Sequence, residues 1–183
     1  MVLLKSQDDT TVEVDEMAAL QSNMIKLVLE ETHPDQYIPL GNVSGKVLSK
    51  IADYLTKQIE FASKKPQEII EKNLLELKDD VAKAQADLKQ WKKDVETWED
   101  KYIDVDMGML YDLYVAANYM DIEGLLYLCI EKIASLIRGK TVEEMREIFD
   151  IKNDFTREEE KKIQAEHKWA FTREEEEKIQ EVI

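Results

Sequence analysis

The chain has one cysteine, Cys129, so no disulfide can close within it. Its setting in Leu125-Leu126-Tyr127-Leu128-Cys129-Ile130 is that of a small buried apolar residue in a reducing compartment. Only two histidines occur, His33 and His167, and neither has the spacing of a metal pair or a nucleophile nearby. No metal and no cofactor are therefore expected. Glycine (5) and proline (3) are scarce among 183 residues, which favours long helices over tight turns and leaves room for little sheet. The glycines of Leu40-Gly41-Asn42-Val43-Ser44-Gly45-Lys46 lack the spacing of a phosphate-binding loop. No apolar run approaches the roughly 20 residues that cross a bilayer, and the N-terminus lacks the layout of a secretory signal. The expected location is nucleus and cytoplasm. Positive charge is also short: 25 Lys and Arg against 40 Asp and Glu give a net charge of -15, which disfavours nucleic acid and membrane surfaces as partners. With so many carboxylates, pairs at helical spacing are inevitable and say nothing of acid/base catalysis. The chain reads as a non-enzyme.

What is present is helical periodicity, preceded by a small sheet. Val2-Leu3-Leu4-Lys5-Ser6 and Thr11-Val12-Glu13-Val14 flank the turn-prone Gln7-Asp8-Asp9 as a hairpin, and Ile38-Pro39-Leu40 returns as an edge strand, since its proline cannot donate to a ladder. Asp15 is placed to cap a helix, and the break at Ser22 predicts two short helices over 16–31. Core helices are predicted over 42–63, 107–119 and 122–137, where apolar residues recur at three- and four-residue steps; Gly139 ends the last.

The most regular stretch lies between them. Ile70, Leu74, Leu77, Val81, Ala84, Leu88, Trp91, Val95, Trp98 and Tyr102 alternate steps of four and three, an a/d heptad seam on a long amphipathic helix. Such a seam serves a homodimer through residues 68–102 as well as it serves a helix laid on its own domain. Both readings stand at this level.

From Lys140 onward the composition changes. Thr141-Val142-Glu143-Glu144, Thr156-Arg157-Glu158-Glu159 and Thr172-Arg173-Glu174-Glu175 each match the capping box that opens a helix. Residues 155–164 nearly repeat as 171–180, differing only where Lys161 is answered by Glu177. Short charged helices of this kind cannot offset their ordering entropy alone. Met145, Ile148 and Phe149 form an apolar patch, and Trp169 and Phe171 are large aromatics in hydrophilic surroundings, as a partner-binding anchor would be. The patch folded back on the body is the plainer alternative.

Several phrases together resemble the Skp (S-phase kinase-associated) adaptors of SCF cullin-RING ubiquitin ligases, plant members above all. They are Val12-Glu13-Val14-Asp15-Glu16, Ile38-Pro39-Leu40, Asn42-Val43-Ser44-Gly45-Lys46-Val47-Leu48 and Ala116-Ala117-Asn118-Tyr119-Met120-Asp121-Ile122-Glu123-Gly124-Leu125-Leu126. Gly139-Lys140-Thr141, Ile148-Phe149-Asp150-Ile151-Lys152-Asn153-Asp154-Phe155-Thr156 and Lys168-Trp169-Ala170 carry the likeness into the tail. It covers residues 1–63 and 98–171.

The resemblance implies a mostly helical α/β protein with a BTB/POZ-type body: residues 1–63 and 103–139 as its two parts, 64–102 as a heptad-patterned helical insert, and 140–183 as an F-box-binding tail with a duplicated extension. It implies F-box proteins and a cullin N-terminal domain as partners and binding as the whole mechanism. Carried over by position, the cullin contact centres on Asn118 and Tyr119. The F-box surface takes Ile133, Leu136, Ile137, Met145, Ile148, Phe149, Ile151, Asn153 and Trp169, some of which must also serve the core. Three departures stand out. Val142 replaces the family's usual proline at a helix start, the insert is longer and more regular than the family's flexible loop, and the tail continues past Ala170.

Overall fold

A computed structural model describes residues 1–31, 37–66 and 78–167. Ile70, Leu74 and Leu77 of the seam, the Val81 side chain, His33, Trp169, Phe171, the third capping box and the repeat at 171–180 lie outside what is described. The chain divides into two compact units, residues 1–131 and 132–183, taken here in turn.

In the first unit β1 (Val2–Ser6) and β2 (Thr11–Val14) pair antiparallel with Val2 opposite Val14, and the turn is held by Ser6 N–H donating to the Thr10 carbonyl at 2.9 Å. Alternation places Leu4 and Val14 in the core and Leu3 outside. After α1 (Glu16–Ala19) and α2 (Asn23–Glu31), β3 (Ile38–Leu40) joins parallel to β1, giving the order β2-β1-β3. Pro39 thus sits on an edge strand, as its missing donor requires.

The expected caps are where the sequence places them. The Asp15 carboxylate accepts from Met17 N–H at 2.9 Å. Ser22, fully buried between α1 and α2, accepts from Ile25 N–H at 3.2 Å and donates to the Met120 carbonyl, so the break carries its own hydrogen bonds.

α3 (Gly45–Lys64) is the central helix, burying Val47, Leu48, Ile51, Tyr54 and Leu55. α4 (Lys78–Ile103) runs antiparallel to it, which decides what the described part of the heptad seam does. Trp98 meets Phe61 edge-on at 5.8 Å and stacks on Tyr102 at 5.0 Å; Tyr102 lies 5.4 Å from Tyr54 and donates its hydroxyl to the Lys50 carbonyl at 2.9 Å. From Trp91 to Tyr102 the seam is therefore used inside the chain. Large aromatics hold the two helices apart while filling the space between them.

α5 (Met107–Tyr119) is capped by Asp106, which accepts from Met109 N–H at 2.9 Å, and buries Leu110, Leu113, Ala116 and Ala117. The chain turns at Asp121, in the left-handed region at φ 51°, into α6 (Glu123–Ile137). Cys129 is buried there as a free thiol, its pKa pushed up to about 11 by burial, which leaves it unreactive.

The second unit holds the end of α6, α7 (Val142–Ile148) and α8 (Arg157–Glu166). Gly139, at φ 72°, ends α6 where a side chain would be strained. Both described capping boxes form: Thr141 accepts from Glu144 N–H at 3.2 Å while Glu144 accepts from Thr141 N–H at 2.9 Å, and Thr156 and Glu159 repeat the exchange. Arg146 and Glu160 pair at 3.6 Å, linking α7 to α8.

Candidate functional site

On the first unit the candidate surface is the outer face of α5. Its inner face carries Leu110, Leu113 and Ala117, all buried, and packs on α3. The outer face presents Tyr111, 63% exposed, then Val115 and Tyr119, one helical turn apart and all in solvent. Asn118 is exposed beside Tyr119, so the two residues predicted from sequence stand together at the C-terminal end of this stripe. Tyr111 and Val115 extend it by two turns and were missed from sequence. The four-residue step from 111 to 115 to 119 was the available signal, masked by the denser apolar pattern of the inner face.

On the second unit the observation is negative. Among the described residues from Ile130 to His167 no side chain is buried, although the segment carries most of the residues expected to bind. Ile133, Leu136 and Ile137 on α6, and Met145, Ile148 and Phe149 on and after α7, are all half-buried. Ile151 is 57% exposed, and Phe155, absent from the sequence prediction, is exposed as well. Asn153 is exposed and held by two bonds, donating to Glu160 and accepting from Phe155 N–H at 3.2 Å. Glu143, Arg146, Asp150, Ile151 and Asn153 help line an open cleft of about 490 Å³.

Electrostatics here support helix ends. The carboxyls of Glu144 and Glu159 are held below the ordinary carboxylate range, first by the backbone N–H of Thr141 and Thr156 respectively. No three His, Cys, Asp or Glu side chains among the described residues come together as metal ligands, and none of the described helices is long and apolar enough to cross a membrane.

Two family models match the chain: the Skp1 family tetramerisation domain over residues 1–60 and the Skp1 family dimerisation domain over residues 123–170. Similarity to curated relatives runs through both. SKP1-like protein 4 of Arabidopsis thaliana is 39% identical over 170 residues, 93% of this chain and 95% of the relative. SKP1-like protein 1 of Oryza sativa subsp. japonica is 40% identical over 170 residues, 93% and 94% of the two chains. The chain belongs to the Skp1 family. Its small three-stranded sheet and largely helical body are the POZ-type fold of that family. Within this Skp1-family chain the α5 stripe lies in residues 61–122, between the stretches the two models match, whereas the half-buried set of the second unit falls inside residues 123–170.

Proposed function

We propose that the chain is an adaptor subunit of an SCF-type E3 ubiquitin ligase, bridging F-box substrate receptors to a cullin scaffold. The observation that carries this reading is the second unit's lack of any buried side chain among its described residues, despite Ile133, Leu136, Ile137, Met145, Ile148 and Phe149. Apolar side chains held half in water on capped, ordered helices fit a core that a partner completes. The α5 stripe supports a separate surface for the cullin N-terminal domain, centred on Asn118 and Tyr119 and extended by Tyr111 and Val115. The chemistry is binding alone, and ubiquitin transfer belongs to other subunits. Nucleus and cytoplasm are the compartments this role requires. A homodimer through residues 68–102 would have to form on the seam before Trp91, because Trp91, Trp98 and Tyr102 are engaged with α3 or with each other.

Co-purification of the full chain with an F-box segment and with a cullin N-terminal domain tests the proposal. Both should be retained at micromolar concentration, and retention of neither ends the adaptor reading.

A further inference from the structure

A second kind of site lies on the first unit, where α3 passes the starts of α2 and α6. Gln21, Asn23, Tyr54, Gln58, Glu123 and Gly124 help line a cleft of about 260 Å³. Tyr54 is the unusual member. It is only 3% exposed, its ring packed 6.1 Å from Trp98 and 5.4 Å from Tyr102, yet its hydroxyl makes no hydrogen bond to any described residue. Since no side-chain oxygen that is both sealed from solvent and unbonded occurs among the described residues, that hydroxyl reaches the cleft. It stands 2.8 Å from the position a Cβ would take on Gly124, so the glycine is what keeps the opening.

The other polar groups have their roles assigned by what they already bond. Gln21 Nε2 donates to the carbonyls of Leu55 at 2.8 Å and Ala18 at 3.2 Å. Carbonyls only accept, so this amide has a single orientation and its oxygen is engaged by no described residue. Gln58 Nε2 donates to Glu99 Oε1 at 3.0 Å, which likewise turns the nitrogen to the carboxylate and leaves the amide oxygen engaged by no described residue. Glu123 adds a carboxylate at the exposed edge. The cleft's lining thus includes two amides whose oxygens no described residue engages, a carboxylate and the Tyr54 hydroxyl, in a chain of net charge -15. Its complement is a cation with several donors spread in space. A guanidinium answers that description better than an ammonium, because its five N–H groups lie in a plane around a delocalised charge instead of at one point.

We propose that this cleft binds a guanidinium group, presented as the arginine side chain of a partner protein. The amide oxygens of Gln21 and Gln58 and the Tyr54 hydroxyl receive its N–H groups, and Glu123 supplies the counter-charge.

The test is a nuclear magnetic resonance titration of the full chain with the capped tripeptide acetyl-Gly-Arg-Gly-amide. Its citrulline analogue, of the same shape without the charge, and its lysine analogue are the controls. Saturable shifts are expected at the side-chain amides of Gln21 and Gln58 and at the Gly124 amide, with citrulline binding on the order of tenfold more weakly and lysine in between. Glu123→Gln, at an exposed position that leaves the fold intact, should weaken arginine binding about threefold or more, as should Tyr54→Phe. Equal response to arginine and citrulline, or shifts unaltered by Glu123→Gln, would overturn the proposal. Shifts with arginine peptide that do not saturate would overturn it too.

Discussion

The indole Nε1 of Trp91 donates to the backbone carbonyl of Phe61 at 3.0 Å, tying the middle of α4 to the last turn of α3. Phe61 lies in the last turn of α3, so the tryptophan braces that helix end from another element. Trp91→Phe removes the N–H and keeps most of the ring, and a loss of about 1 kcal/mol in urea unfolding is expected. Trp98→Ala should cost about 3 kcal/mol, since its ring spans Phe61, Tyr54 and Tyr102. A cycle of Trp98→Ala with Phe61→Ala should show coupling of about 1 kcal/mol. Strict additivity would mean the two rings do not act on each other.

A second joint links the hairpin turn to the start of α3. The Ser6 hydroxyl donates to the Asp8 carboxylate, whose two oxygens also accept from Gly45 N–H at 3.0 Å; the Ser6 bond first and the Gly45 bond second lower its pKa to about 2 from an ordinary 3.8. The folded-state value is depressed, so its stabilising contribution is present above pH 3.8 and fades as pH falls through about 2. Asp8→Asn should therefore flatten acid unfolding in that window, followed by circular dichroism. Gly45→Ala is expected to destabilise by about 1–3 kcal/mol despite alanine's better helix propensity, because the new Cβ would lie 2.6 Å from Thr10 Cβ.

Glu99 responds to pH in the opposite sense. Burial raises its pKa above 4.5, with Asp100, Glu96 and Glu131 adding to the shift and the Gln58 bond opposing it. A raised folded-state pKa stabilises the protonated form, so the contribution is present below pH 4.5 and lost as pH rises through the folded value. Glu99→Gln should raise the melting temperature at pH 7 and leave it almost unchanged at pH 4. A stabilisation equal at both values would show that charge is not its source.

The two proposed partner surfaces belong to different units and should separate by mutation. Replacing Asn118 and Tyr119 together by Lys is expected to abolish cullin N-terminal domain binding and leave F-box binding within about twofold. Phe149→Ala should do the reverse, weakening F-box binding by about 2–4 kcal/mol. Loss of both partners in either variant, measured by titration calorimetry, would contradict separate surfaces.

Trp91→Lys addresses the heptad seam. With its indole already engaged by Phe61, the substitution should lower the urea midpoint and leave the sedimentation behaviour unchanged. A dimer that comes apart in the variant would restore the seam to an intermolecular role.

Much of this was legible in the residues because it is decided locally. Asp15, Thr141 and Thr156 cap helices through bonds that span two or three positions, and Pro39 excludes an inner strand by lacking a donor. The outer stripe of α5 was less legible, because Tyr111 and Val115 share a helix with a strongly apolar inner face and are hydrophobic whichever way they point. The Tyr54 cleft left no sequence signal. It needs Gln21, Gln58 and Gly124 to meet, and nothing local ties them.

The sequence by itself determined the acidic charge, the family and the approximate place of most described strands and helices, since each depends on short-range spacing or composition. Tertiary structure alone decided what the seam contacts, which helix faces remain in water and which polar groups are left unbonded. An a/d stripe is equally apolar against its own chain or another, and only the antiparallel meeting of α3 and α4 placed Trp91 beside Phe61.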